Sequence, residues 1–120
     1  ENRLLTNREK NSWIQFDFKE RKIRPTHYSI RSIDWSQGDI HPQSWVIEGS
    51  NSGSDDWIIL DSQNSVDYLD GNLKSHTFQI QCTSKKKDFY RFIRLRQTGP
   101  NKKGTDTLSI SALEFFGKMI

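Results

Sequence analysis

The sequence predicts an all-β domain, an antiparallel β-sandwich of the jelly-roll type, and three observations predict it. Apolar residues recur at every second position in short runs, which is the period of a half-buried strand. Ser, Asn, Asp, Gly and Thr crowd the gaps between those runs, where turns need them. Helix formers are scarce, with a single Ala (Ala112) and a single Met (Met119) in 120 residues. The runs add up to about seven or eight short strands, the spacing of a sandwich or jelly roll. No gap has room for a helical crossover, so the strands are expected to run antiparallel.

Each element follows from its local pattern. Residues 1–12 are polar and charged and read as a lead-in segment, a loop or a short turn of helix. The domain proper is read over 13–120. In 13–18, Ile14, Phe16 and Phe18 share one face, and Gln15 and Asp17 the other. Residues 19–22 form a charged turn. Over 23–33 Pro25 keeps its neighbour extended, and Tyr28 and Ile30 share a face. A loop over 34–42 carries Trp35 and His41, and a strand follows over 44–48. The dense turn 49–56 leads into a strand over 57–60. A long polar loop, 61–75, precedes a strand over 76–81 with Phe78 and Ile80 on one face. In 89–97, Ile93 and Leu95 face one way and Arg94 and Arg96 the other. A loop over 99–104 and a strand over 108–116 close the chain.

Only 32% of the residues are hydrophobic, so the core must be rich in bulky rings; four Trp and seven Phe supply them. Large aromatics usually bury, and the core is expected to contain Trp13, Trp45 and Trp57. Glu48, just before the turn, is expected to accept backbone N–H groups there.

Five segments in order resemble the discoidin family, the coagulation factor five/eight type C domains with a galactose-binding-like fold. Trp13-Ile14-Gln15-Phe16-Asp17-Phe18 resembles the family's W-I-x-F-D-F strand. Pro25 and Tyr28-Ser29-Ile30 resemble the next strand. Ser44-Trp45-Val46-Ile47-Glu48-Gly49-Ser50-Asn51, with Trp57 and Leu60-Asp61, resembles the stretch that joins two strands by a glycine-containing turn. Arg91 to Gly99 resembles the penultimate strand, and Leu113-Glu114-Phe115-Phe116-Gly117 the closing one. The resemblance spans 13–117. It implies a discoidin-like jelly roll that presents ligand-binding loops at one end. The details look most like intracellular members found beside BTB, kelch or ubiquitin-ligase modules and abundant in unicellular eukaryotes. Secreted members commonly join their chain ends by a disulfide, and this chain lacks the pair.

Little in the sequence points to reaction chemistry. The net charge of +3 is mild and speaks to solubility before partners, and aromatic residues interleaved with Lys, as single-strand binders use, are not evident. Nucleic acid is therefore not an expected partner. No apolar run approaches the roughly 18 residues of a membrane helix. His27, His41 and His76 stand far apart without metal-ligand spacing. Asn51, Asp55 and Asp56 could offer oxygen ligands to calcium, but the calcium sites of some members of the family it resembles lie at a different part of the fold. Gly99 to Gly104 has part of a phosphate loop's spacing, yet Thr105 stands where its lysine would be. No nucleophile or acid–base pair appears, so no catalysis, cofactor or metal is expected.

One cysteine, Cys82, excludes an internal disulfide, and a lone thiol fits a reducing, cytoplasmic setting, the cytoskeleton included. The chain begins at Glu1 without Met and is expected to belong to a larger protein or complex. The sequence points to a non-catalytic binding module. Its expected partner is a protein, an acidic one suiting the lysines, within a scaffold, adaptor or cytoskeletal assembly; a glycan is the alternative. Recognition belongs on loops, here 34–42, 62–75 and 99–106. Trp35, His41, Tyr68, Asn101, Lys102 and Lys103 are the side chains expected to be exposed there. Arg91, Arg94 and Arg96 read either as a solvated face with local ion pairs or, with Lys85, Lys86 and Lys87, as part of a basic end.

Overall fold

The computed structural model describes residues 4–5, 11–33, 40–71, 73–80 and 88–120. Trp35, Cys82 and Lys85, Lys86 and Lys87 lie outside the described residues, as does most of the 34–42 loop.

The described residues form β1 (Leu4–Leu5), β2 (Trp13–Asp17), β3 (Ile23–Arg31), β4 (Trp45–Ser50), β5 (Ile58–Gln63), β6 (Ser75–Gln79), β7 (Phe92–Gln97), β8 (Ser109–Ile110) and β9 (Ala112–Met119). A four-stranded sheet in the order β2-β7-β4-β5 faces a three-stranded sheet in the order β6-β3-β9, and β1 pairs with β8. All pairings are antiparallel. This is the β-sandwich that the alternating pattern predicts. No helix among the described residues is long and apolar enough to cross a membrane.

Two elements differ from expectation. The lead-in segment supplies a short strand, with Leu4 opposite Ile110 and Leu5 opposite Ser109. The closing run breaks at Ser111, whose N–H donates to Arg31 O at 2.8 Å. Its hydroxyl donates to Ser32 O at 2.8 Å and accepts from Arg31 Nε at 2.8 Å. The bend frees β8 for β1 while β9 stays on β3.

Alternation decides what the sandwich buries. Tyr28 and Ile30 of β3, Trp45 and Ile47 of β4, and Ile93 and Leu95 of β7 all point inward and are buried. Tyr28 lies at the centre. Its register partners Phe78 and Phe115 flank it in its own sheet, with ring centroids 4.9 and 6.2 Å away. From the other sheet, Trp45 meets Phe78 edge-on at 5.3 Å, and Phe16 meets Phe115 at 5.5 Å. Trp45 Nε1 donates to the Tyr28 hydroxyl at 3.0 Å, and that hydroxyl donates to Asp61 Oδ2 at 2.6 Å. Burial, with the hydrogen bond to Asp61 second, pushes the Tyr28 phenol far above its ordinary range. A bulge positions Asp61. Ile47 pairs with Asp61 and Glu48 with Ile59, so Leu60 is the extra residue and both Leu60 and Asp61 are buried. The bulge thus brings a carboxylate inward without removing the leucine beside it.

Two glycines in the sequence motifs mark close approaches. A Cβ on Gly49 would stand 2.7 Å from Tyr90 Cγ, because the buried Tyr90 ring packs on that backbone. A Cβ on Gly117 would stand 2.1 Å from Arg24 O, beside the register shift between Pro25 and His27.

The tryptophan expectation needs correction. Trp45 is fully buried, but Trp13 is 51% exposed and Trp57 is half-buried. Trp13 shares the face of Gln15 and Asp17, so strand parity overrides its bulk. The guanidinium of Arg94 lies 3.8 Å from the Trp57 ring centroid and 5.2 Å from that of Trp13. Glu48 lies beneath, and its Oε1 accepts from Arg94 Nε and Arg96 Nε, each at 2.9 Å. It therefore serves the outer face and not the turn. Burial works to raise its carboxyl, and the hydrogen bonds from Arg96 and Arg94 outweigh that, leaving it below the usual range. The turn uses Asp56 instead. Asp56 accepts from the Ser50 and Ser52 hydroxyls and from the backbone N–H of Asn51 and Ser52. These bonds lower its carboxyl to about 2, and Arg91 holds Asp17 at about 2.

Trp45→Ala should cost about 3–5 kcal/mol, from lost burial and the cavity left behind, and Trp13→Ala under about 1 kcal/mol. Urea melts of the two variants check the assignment; equal losses would contradict it. Acid is the second test. Folded carboxyl groups held below their unfolded values add stability that is complete above the unfolded values and lost as pH falls through the folded ones. The melting temperature should therefore hold from neutrality to about pH 5 and fall from about pH 4 towards pH 2. A thermal melt series across that range checks it, and a flat profile would contradict it.

Candidate functional site

The described residues of the three loops singled out from the sequence lie at one end of the sandwich. Strand directions put the ends of β3, β5 and β7 there together with the starts of β4 and β6. Cross-links confirm the grouping. Lys102 N–H donates to His41 O at 3.0 Å, and Val66 N–H to Gln43 O at 2.9 Å. Ser65 N–H donates to the Ser44 hydroxyl at 2.9 Å, and the Lys102 ammonium pairs with Asp70 Oδ2 at 2.8 Å. Lys102 alone thus ties its own loop to the other two.

The predicted side chains divide by what they touch. Tyr68 is 48% exposed; its ring stacks on His76 at 4.2 Å and meets Phe78 edge-on at 5.7 Å. It therefore offers one face of a supported ring. Lys102 and Lys103 are exposed. Asn101 and His41, expected on the surface, are 2% and 1% exposed. The Asn101 amide builds its own loop. Its Nδ2 donates to the Thr105 hydroxyl at 2.8 Å and to Thr107 O at 3.0 Å, and its Oδ1 accepts from Thr105 N–H at 3.1 Å. An amide fixing a tight loop must turn inward to reach that backbone. His41 sits beneath the loop crossing, where its carbonyl takes the Lys102 N–H.

The arginines over 91–96 form no free basic patch at this end. Arg91 pairs with Asp17 at 2.8 Å, and Arg94 and Arg96 pair with Glu48 on the outer face of the four-stranded sheet. The oxygen-rich turn 50–56 is at the opposite end. Asp56 is engaged there as described, while Asn51 donates to Phe89 O and accepts from Arg91 N–H.

Beside the 99–106 loop lies a cleft of about 200 Å³ lined by Asn11, Gln97, Thr98, Gly99, Pro100 and Asp106. Gln97 ends β7 at the inward parity of Ile93 and Leu95 and is 3% exposed. Its Nε2 donates to Asp106 O at 3.1 Å, which fixes the amide's orientation, and its Oε1 is buried without a hydrogen-bond partner. No ion pair or hydrogen bond among the described residues engages the Asp106 carboxylate. Asn11 Oδ1 accepts from Arg96 Nη1 at 2.8 Å, which fixes that wall. Sequence reasoning placed Gly99, Pro100 and Asp106 within a candidate loop but singled out none of the lining side chains. A polar residue at a core-parity position next to a loop, as at Gln97, was the available signal.

Comparison with known proteins places the fold. No family model matches the chain. Over 112 residues it is 30% identical to the E3 ubiquitin-protein ligase Ufd4 of Drosophila melanogaster, a match covering 92% of this chain and 4% of the ligase. The carbohydrate-binding module CBM62 of Xyl5A from Clostridium thermocellum superposes with a TM-score of 0.63 at 18% identity, over 92% of this chain and 70% of that one. CBM32-3, from a family 31 glycoside hydrolase of Clostridium perfringens, superposes with a TM-score of 0.64 at 12% identity, over 97% and 75%. The chain has the antiparallel jelly-roll β-sandwich fold of these modules.

Proposed function

We propose that this chain is a non-catalytic recognition module that seats a glycan at its loop end. The observation that carries the reading is the cleft beside the 99–106 loop, lined by polar residues that include Asn11, Gln97, Thr98 and Asp106. At about 200 Å³ the cleft is smaller than the roughly 300–1,000 Å³ of drug-sized ligand sites and suits a single sugar ring. Such a ring carries hydrogen-bond donors on every edge, and polar lining groups that lack partners reward them. The exposed Tyr68 ring gives the same end a flat apolar surface of the kind that packs against a pyranose face. The glycan-binding modules that share the fold support this reading.

A second reading has its own support. The ubiquitin ligase matches this chain over a small part of a very long protein, which is the arrangement expected of a module that recruits a protein. Tyr68 and Lys103 would then be the contact residues, with the lysine steering an acidic partner. A cytoplasmic setting belongs to this reading.

A glycan array followed by calorimetry on the hits separates the two. The glycan reading expects at least one saccharide to bind, with Gln97→Ala weakening it by about tenfold and Tyr68→Ala weakening it less. No binding across the array, with partner capture lost in Tyr68→Ala or Lys103→Glu, would replace it with the protein reading.

A further inference from the structure

The two main sheets have four outer strands among the described residues, β2 and β5 in one and β6 and β9 in the other. An outer strand leaves one row of backbone N–H and C=O groups without a ladder partner. β2 and β6 have five residues each, and the bulge at Leu60 breaks the ladder of β5. β9 has eight residues. Its own spacing is unbroken, because the register shift beside it places the extra residue in β3. Ile120 exchanges backbone bonds with Lys22, and Phe116 O accepts from the Thr26 hydroxyl at 3.3 Å. Even-numbered residues of β9 therefore aim their backbone at β3, and odd-numbered ones aim theirs at the open edge.

This strand is its own complement. Let a second copy of β9 lie antiparallel on the open edge, with the two-fold axis at Phe116. Glu114 of each copy then stands opposite Lys118 of the other, and the two Phe116 rings face each other. These are the non-hydrogen-bonded pairs, in which side chains come closest. All three residues are exposed on the outer face, and Glu114 and Lys118 have no ion pair or hydrogen bond among the described residues. The odd-numbered residues make the backbone bonds. Phe115 meets Gly117 of the second copy, where the absent side chain leaves room for a ring that its own chain covers only in part. Met119, 36% exposed, meets the edge of Leu113. Moving the axis by one residue either way sets Phe116 against Glu114 or against Lys118, and both charge pairs are lost.

We infer that β9 is a self-association edge, on which a second copy of this chain pairs antiparallel about Phe116 and joins the two three-stranded sheets into one. The contact is isologous and closes at a dimer. It stands apart from the glycan reading and holds whichever ligand the loop end takes.

The test is sedimentation velocity of the whole chain over a concentration series, reaching about 1 mM to include weak pairing. A monomer–dimer equilibrium is expected. Lys118→Glu alone, or Glu114→Lys alone, sets like charges opposite each other on both sides of the axis and should weaken the dimer about tenfold or more. The double variant Glu114→Lys with Lys118→Glu exchanges the charges and should restore the affinity to within about threefold of the parent. All three should keep the parent's circular dichroism, because these side chains are exposed and serve no contact within the chain. A monomer throughout the series would overturn the inference. So would a dimer indifferent to the single reversals, a dimer the double variant fails to restore, or growth into longer species.

Discussion

The hydroxyl of Tyr28 is the point on which the two sheets agree. It accepts from the Trp45 indole of one sheet while belonging to the other, and it donates to Asp61, which the bulge in β5 turns inward. A carboxylate in an aromatic core is costly unless every neighbour serves it, and Gln63 adds a second donor at 3.1 Å. Hydrophobic contact alone would let β5 slide by one residue, exchanging its inner and outer faces. The phenol and the carboxylate fit together in one register only. Because β5 leads straight into the loop that follows Gln63, that register also sets where this loop end begins.

Much of the fold was legible because it depends on parity. Alternation in 13–18, 23–33 and 89–97 gave the strands and their inner faces, and the glycine-containing turn fell where the motif placed it. Failures arose where bulk was weighed above parity. Trp13 shares a face with Gln15 and Asp17, and the period of two said so, yet its size suggested the core. Two-residue pairings such as β1 with β8 carry no period at all. The bulge at Leu60 was equally hidden, since an inserted residue leaves an apolar run looking continuous.

The site was legible in outline and obscure in detail. Loop lengths and turn composition marked three connections, and strand topology brings their described ends to one end of the sandwich. What each polar side chain does there depends on hydrogen bonds across the loops. Asn101 sits amid exposed, charged neighbours in the sequence and turns inward because its amide completes the loop. Gln97 looked like the last residue of a strand, and its significance appears only once Asp106 fixes its amide. Trp35 lies outside the described residues, so its part in recognition stays an expectation from the sequence.

The arginines over 91–96 spend their charge inside the molecule. Arg91, Arg94 and Arg96 serve carboxylates of their own sheet, and Arg94 is further held between two indoles. Those three arginines are therefore no part of a free basic patch.

The Lys102 crossing has a thermodynamic consequence. One residue holds three connections through its backbone N–H and its ammonium, and Asn101 beside it closes its loop on itself. A ligand bound at this end, as we propose, would meet contacts at Lys102 and Asn101 already ordered by folding. Little ordering remains to oppose association, so modest contacts can yield measurable affinity, as rigid scaffolds allow. In the proposed binding role the same ties would limit the range of shapes this end accepts, so that selectivity would come from a mould that does not adjust.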